Sequence, residues 1–154
     1  MAWTTKKFRA ELMKGYLWQL YIAQILRENG YDVKVPPLTH GNAKDFKDEE
    51  DILANGKIVE CKSRNLDFTS AEDFPYDTVL IDTVESWETK IRKPVMYVCV
   101  SQLTGATIAL DVQKNRENWS EVTIWDSVRR FRVHSYEAPR QCWGPLDVIA
   151  QRLL

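Results

Sequence analysis

Residues 51–62 read Asp51-Ile-Leu-Ala-Asn-Gly-Lys-Ile-Val-Glu-Cys-Lys62 and contain a strong turn signal. Asn55-Gly56 is the residue pair that best supplies the two positive φ angles of a type I′ turn, and apolar residues flank it on both sides. We therefore predict a β-hairpin with a two-residue loop. Its loop length fixes the register, which places Asp51 opposite Glu60 on neighbouring antiparallel strands.

This register brings two acidic side chains together on one face of the hairpin. Opposed side chains on an antiparallel pair have Cβ atoms about 4.5–5.5 Å apart, so Asp51 and Glu60 repel each other unless a cation compensates. Because side chains alternate along a strand, Lys62 projects on the same face and Cys61 on the other. Carboxylates are ligands that Mg²⁺ prefers, and Lys62 is placed to orient or deprotonate a water that attacks a phosphodiester. The pattern therefore indicates a metal-dependent phosphodiester hydrolase.

Asp51 followed by Glu60-Cys61-Lys62 on the next strand resembles the signature of the PD-(D/E)xK nuclease superfamily. The resemblance assigns Asp51 and Glu60 to metal binding and Lys62 to catalysis. It also implies that the main-chain carbonyl of Cys61 is a metal ligand. One departure is Glu50, which stands where the motif has proline and extends an acidic run. Strand parity places Glu50 on the face opposite to Glu60, so Asp51 is the better candidate for the first ligand.

The resemblance extends over roughly Phe8 to Val112 and implies an α/β fold. We expect a restriction-endonuclease-like α-β-β-β-α-β core, with a mixed central sheet flanked by helices, in a single domain spanning residues 1–154. The implied cofactor is Mg²⁺, with Mn²⁺ able to replace it, and the implied partner is DNA. The nearest analogues are Holliday-junction resolvases and small phage or mobile-element endonucleases, so branched DNA is one candidate substrate. Exonuclease action and a homodimeric state stay open.

Glu11 is a further candidate for the catalytic centre. It lies on the apolar stripe of the first predicted helix, where an apolar residue is expected, and related nucleases often place a first-helix glutamate near the metals. The alternative is a favourable interaction of this acid with the helix dipole. The basic residues are either ordinary solvated side chains or, if they flank the same groove, phosphate contacts. Most tryptophans are expected in the core, although four are candidates for base stacking. The candidates are Lys6, Lys7, Arg9, Lys14, Arg64, Arg129, Arg130 and Arg132, with Trp87, Trp119, Trp125 and Trp143.

Apolar spacing and turn residues predict the remaining elements. The first helix ends before Asn29-Gly30, and a second begins with Asp82 and Glu85 as a capping pair. The pattern predicts helices over 5–28, 82–93 and from Pro145 onward, and strands over 31–35, 95–102, 106–112 and 130–136.

Composition limits the other functions that the chain can have. With 154 residues, 44% of them hydrophobic, and a formal net charge of −1, it is expected to be one soluble domain. Its longest apolar-rich stretch, Tyr16 to Leu26, is shorter than the about 20 residues of a membrane span, so we expect a cytoplasmic protein with no membrane partner. The three cysteines have no metal spacing and are expected to be thiols.

Two other interpretations compete with nuclease activity. In the first interpretation, the chain is a catalytically inactive DNA-binding or interaction module of the same fold. In the second the acidic cluster is a solvated sheet edge, where Glu49 forms an ordinary salt bridge with Lys62. Acid-pair chemistry on carbohydrate is weaker, because a lysine beside the acids suits phosphate better.

Overall fold

The computed structural model describes residues 5–37, 52–127 and 130–154, except for the side chains of residues 5–9, 11 and 12. These ranges contain helices, strands and a few short 3₁₀ helices. Their order is α1 (Thr5–Glu28), β1 (Val33–Lys34), β2 (Ile52–Ala54), β3 (Lys57–Arg64), β4 (Thr78–Thr83), α2 (Val84–Thr89), β5 (Met96–Ser101), β6 (Thr107–Asp111), α3 (Val112–Asn115), β7 (Ser120–Asp126), β8 (Phe131–Pro139), β9 (Gly144–Pro145) and α4 (Leu146–Ile149).

The strands form two sheets. The larger sheet has six strands in the order β1-β2-β3-β5-β6-β9, with β3 and β5 parallel and the other pairs antiparallel. The smaller sheet has the order β4-β8-β7 and is antiparallel throughout. The expected α/β class and mixed central sheet are therefore confirmed. The three-stranded sheet was not expected, because β4 and β7 were not among the predicted strands.

Each face of the larger sheet packs against a different layer. On one face Val59 and Val98 contact a core that includes Ile22 and Leu26 of α1. This core also takes in the C-terminal residues Leu146, Ala150 and Leu153. On the other face Tyr97 and Leu110 belong to a core shared with the smaller sheet and Trp87 of α2. Glu60 pairs with Tyr97 across β3 and β5, so its side chain lies on the face that the smaller sheet covers.

The hairpin has the predicted turn and register. Asn55 and Gly56 have φ angles of 51° and 77°, as a type I′ turn requires. Residues 52–54 pair with residues 57–59 in the expected order, with Ala54 opposite Lys57 at the turn. Asp51 lies outside the described residues, so its predicted position opposite Glu60 stays a prediction.

The first helix is confirmed over Thr5–Glu28. It ends in a Schellman motif, in which Gly30 with φ of 90° donates its N–H to Arg27 O, and Tyr31 donates to Leu26 O. None of the described helices is long and apolar enough to cross a bilayer.

The predicted start of the second helix was wrong. Thr83, not Asp82, is the N-cap, because its side chain accepts a hydrogen bond from Ser86 N–H at 3.0 Å. The helix ends at Thr89, earlier than expected. Asp82 is the penultimate residue of β4, where its carboxylate is buried among charged groups instead of capping a helix.

Two glycines give opposite predictions for alanine substitution. An added Cβ meets no atom within 4 Å at Gly15 in α1 or at Gly56 in the turn, so only the backbone conformation separates them. Gly56→Ala should lower the free energy of unfolding by about 1 kcal/mol, since its φ is left-handed. Gly15→Ala should raise it by about 0.5–1 kcal/mol. Urea unfolding measures both, and equal shifts would contradict the assigned turn.

Candidate active site

Two buried acidic side chains meet between the two sheets. Glu60 comes from β3, a central strand of the larger sheet, and Asp82 comes from β4 of the smaller one. Their exposed fractions are only 2% and 5%. Lys62 projects on the same face of β3 as Glu60, as the strand alternation predicts. The tertiary fold therefore adds a second acid to the pair Glu60 and Lys62.

Two lysines neutralise these acids. Lys62 Nζ lies 3.1 Å from Glu60 Oε2 and 3.6 Å from Asp82 Oδ1. Lys90 Nζ lies 3.1 Å from Glu60 Oε1 and 3.2 Å from Asp82 Oδ2. Glu60, Lys62, Asp82 and Lys90 thus form an alternating ring of two negative and two positive groups, here named the acid–lysine cluster. Each ammonium bridges both carboxylates, so the cluster is electrically balanced when both acids are ionised.

Hydrogen bonds from neighbouring elements fix the positions of these groups. Tyr97 Oη donates to Asp82 Oδ2 at 2.7 Å, and the Thr83 N–H donates to Asp82 Oδ1 at 2.9 Å. Lys90 Nζ donates to Ser86 Oγ at 2.6 Å, one turn earlier in α2. The strands β4 and β5 and the end of α2 therefore hold the cluster in one geometry.

The two carboxyl groups have opposite pKa shifts. Burial raises the pKa of Glu60, and the negative charge of Asp82 adds to this, so that Lys62 and Lys90 do not restore the ordinary value. Burial also raises the pKa of Asp82, but Lys62, the Tyr97 hydroxyl and Lys90 outweigh it and bring that pKa to about 2. Glu60 is therefore the acid of the pair that takes up a proton first.

The cluster differs in exposure from one end to the other. The Lys62 side chain is 30% exposed, whereas that of Lys90 is 9% exposed. Lys62 is consequently the member of the cluster that a molecule from solvent meets first. Arg64, two residues further along β3 and half-buried, follows on the same face by strand alternation.

The remaining predicted site residues fall on other parts of the chain. The Cys61 side chain packs against the core on the α1 side of the sheet, as expected, and all three cysteines carry thiols rather than disulfides. Glu11 lies within α1, but its side chain is outside the described residues, as are Asp51 and Glu49. The predicted role of Glu11 is therefore neither supported nor contradicted.

The suggested stacking by tryptophans was wrong for three of the four candidates. Trp87, Trp119 and Trp143 are core residues with exposed fractions below 10%, so their rings do not reach a nucleic acid. Trp125 in β7 is 61% exposed and remains a candidate for stacking.

Sequence reasoning missed Asp82 and Lys90. A signal for Asp82 was present, because Thr78–Thr83 is rich in β-branched residues and has the length of a strand. The same stretch also ends in a helix-capping pattern of Asp82 with Glu85, which predicts a helix start at Asp82. Lys90 has no comparable local signal, since its distance to Glu60 depends on how α2 packs on the sheet.

No protein-family model, curated protein or solved structure compared with this chain matches it.

Removal of the Tyr97 hydroxyl tests the electrostatics of the cluster. An Asp with a folded pKa of about 2, against an ordinary 3.8, stabilises the fold above about pH 4 and loses this contribution as the pH falls to 2. Tyr97→Phe should raise the Asp82 pKa and lower the free energy of unfolding by about 1.5–3 kcal/mol at pH 6. The difference from wild type should shrink between pH 4 and pH 2.

The control for this measurement is Tyr76→Phe, because Tyr76 is 59% exposed. Asp73, with a pKa also near 2, titrates equally in all three proteins and cancels in the comparison. A difference between Tyr97→Phe and wild type that is independent of pH would show that Tyr97 does not set the Asp82 pKa.

Proposed function

We propose that this chain is a metal-dependent deoxyribonuclease of the PD-(D/E)xK type that cleaves DNA internally. The observation that carries the proposal is the buried Glu60 carboxylate, 3.1 Å from Lys62 on the strand that follows a type I′ hairpin. We propose that the same register continues by one residue, which would set Asp51 opposite Glu60. The α1-β1-β2-β3 order and the parallel strand β5 after α2 support a restriction-endonuclease-like core.

The donor set at the cluster suits a hard divalent cation. Mg²⁺ is commonly held by one or two carboxylates and completes its shell with water and substrate oxygens. Glu60 Oε2 is buried and, within the part of the chain that the structure describes, accepts no hydrogen bond of good geometry, so its partner there is the Lys62 ammonium at 3.1 Å, with which a cation would compete. Within the described residues no three acidic, histidine or cysteine side chains are placed to hold a metal ion, and we propose Asp51 as the carboxylate ligand beside Glu60. The Cys61 carbonyl is proposed as a further ligand.

Bound Mg²⁺, or Mn²⁺ in its place, would supply charge neutralisation at the phosphoryl oxygens and a more acidic water. The residues of the chain divide the other tasks. Lys62 reaches from the buried acids to solvent, so its ammonium is suited to orient the attacking water and attract a phosphate. Asp82, from the smaller sheet, holds the Lys62 ammonium in position, and the Tyr97 hydroxyl of β5 holds Asp82. Lys90 fills the inner side of the acid pair.

A second candidate function follows from the same cluster. Lys62 and Lys90 already neutralise Glu60 and Asp82, so the four residues can serve as a purely structural ion network. The chain would then be a DNA-binding or interaction module without catalysis. The two functions differ in one measurable property, which is the response of the protein to divalent metal.

Metal binding should stabilise the protein against heat. Millimolar Mg²⁺ or Mn²⁺ should raise the melting temperature of wild type, because a ligand that binds only the native state stabilises it. Lys90→Met should lower the metal-free melting temperature, since it leaves buried carboxylates with one ammonium. The Mn²⁺-induced rise should be larger in Lys90→Met, because the cation no longer competes with Lys90.

Asp51→Asn is the control for a site that includes the proposed Asp51 ligand, and its metal-induced rise should be smaller than that of wild type. Melting curves that do not respond to metal in wild type or in Lys90→Met would favour the structural ion network. An equal response in Asp51→Asn and wild type would remove Asp51 from the site.

Lys62→Ala separates catalysis from DNA binding. The substitution leaves the carboxylates in place, so single-turnover cleavage in Mg²⁺ should fall by roughly 10²–10⁴-fold if Lys62 positions or deprotonates the water. Affinity for DNA, measured by gel shift in Ca²⁺, should change much less, because one phosphate contact alters the logarithmic salt slope by only about one. Linear, nicked, single-stranded and four-way-junction DNA are compared to define the substrate.

Lys34→Ala is the matched control, because Lys34 is an exposed lysine on strand β1. It should leave both cleavage and binding unchanged. Full cleavage by Lys62→Ala would exclude Lys62 from the active site, and an equal loss of binding and cleavage would make it a DNA-anchoring residue.

A further inference from the structure

Strands β7 and β8 extend beyond the body of the smaller sheet. They pair along the whole of Ser120–Asp126, whereas β4 covers β8 only from Ser135 to Pro139. On the N-terminal side of Ser135, no described strand pairs with the edge of β8 that faces β4. Residues 123–126 and 130–134 are here named the ribbon.

One face of the ribbon carries exposed aromatic and basic side chains. Trp125 pairs directly with Arg132 across the two strands, and Thr123 pairs with His134. All four are exposed, and Trp125 is 61% exposed. Strand alternation makes this face a continuation of the face on which Tyr136 is buried. The ribbon therefore carries the core-facing side of the sheet past the end of the core, where these side chains meet solvent.

The turn end of the ribbon has an unusual backbone conformation. Arg130 has a φ of 62°, which is uncommon for a residue other than glycine, and its N–H donates to Asp126 O at 2.6 Å. Phe131 beside it is 46% exposed. Residues held in sparsely populated backbone regions cluster at active sites and ligand-binding sites.

The net charge of the ribbon is positive, unlike that of the whole chain. It contains two arginines, Arg130 and Arg132, and one acidic residue, Asp126, although the chain as a whole has a net charge of −1. Positive charge with exposed aromatic rings is complementary to a nucleic acid. It also opposes side-by-side pairing of two ribbons from two copies of the chain, because like charges would face each other.

We propose that the ribbon binds duplex DNA in a groove. The major groove of B-DNA admits a two-stranded β-ribbon, and the Arg132 guanidinium can contact phosphates while the Trp125 ring packs on sugars or bases. Tyr136 pairs with Asp82, so the ribbon extends from the strand pair that carries one acid of the acid–lysine cluster. This inference adds a binding surface to the proposed nuclease function and rests on it for the choice of DNA.

Substitutions in the ribbon test this assignment by binding alone. A labelled duplex of about 20 base pairs is titrated with wild type, Trp125→Ala and Arg132→Ala in Ca²⁺ at several salt concentrations. Each variant should bind about tenfold more weakly, and Arg132→Ala should reduce the logarithmic salt slope by about one. Melting temperatures should stay at the wild-type value, because both side chains are exposed. Lys114→Ala, which removes an exposed charge in α3 outside the ribbon, should bind as wild type does.

The outcomes separate this inference from the nuclease proposal. Binding by wild type that weakens in both variants, without cleavage under any metal condition, would support the ribbon and oppose nuclease activity. Cleavage by wild type with unchanged affinity in both variants would overturn the ribbon assignment alone. A wild-type protein that binds no DNA would overturn it as well. So would a dimer that Trp125→Ala converts to a monomer while DNA affinity stays the same.

Discussion

The packing of the two sheets against each other requires that the buried carboxylates of Glu60 and Asp82 be neutralised. Removing a charged group from water costs several kcal/mol, and this cost is offset only when partners of opposite charge are close and well oriented. Lys62 and Lys90 meet this requirement by bridging both Glu60 and Asp82. Since the four residues come from β3, from β4 and from the end of α2, the cluster ties the smaller sheet and α2 to the larger sheet.

The same arrangement leaves one side of the cluster open to chemistry. Lys90 is nearly buried and anchored to Ser86, whereas Lys62 extends toward solvent. A divalent cation at the proposed site would compete with these ammonium groups for Glu60, and Lys90 is the less exposed of the two. Against the effect of burial, the Lys62 charge and the Tyr97 hydroxyl lower the pKa of Asp82, while Glu60 is the acid that protonates first. The cluster thus has no net charge when both acids are ionised, and its two carboxylates differ in affinity for a proton.

Local patterns predicted the parts of the fold that local chemistry determines. Asn55-Gly56 supplied the hairpin and its register because few residue pairs adopt two positive φ angles, and the register in turn placed Glu60 and Lys62 on one face. Apolar periodicity and Gly30 defined α1 at both ends. The strand β7 was missed because its partner β8 is half exposed and neither strand has a buried face throughout. Asp82 was misplaced because an acid before a helix has the same local pattern whether it caps the helix or faces a buried lysine.

The most direct test of the central claim compares wild type with Glu60→Gln, a variant of nearly the same shape that lacks the buried charge. Both proteins are purified in parallel and incubated with supercoiled plasmid in Mg²⁺, Mn²⁺ or EDTA, and nicked and linear products are followed over time. Wild type is expected to nick the plasmid only when metal is present. Folded Glu60→Gln is expected not to nick it under any of these conditions. Equal nicking by the two proteins, or no cleavage of any DNA by wild type with either metal, would contradict it.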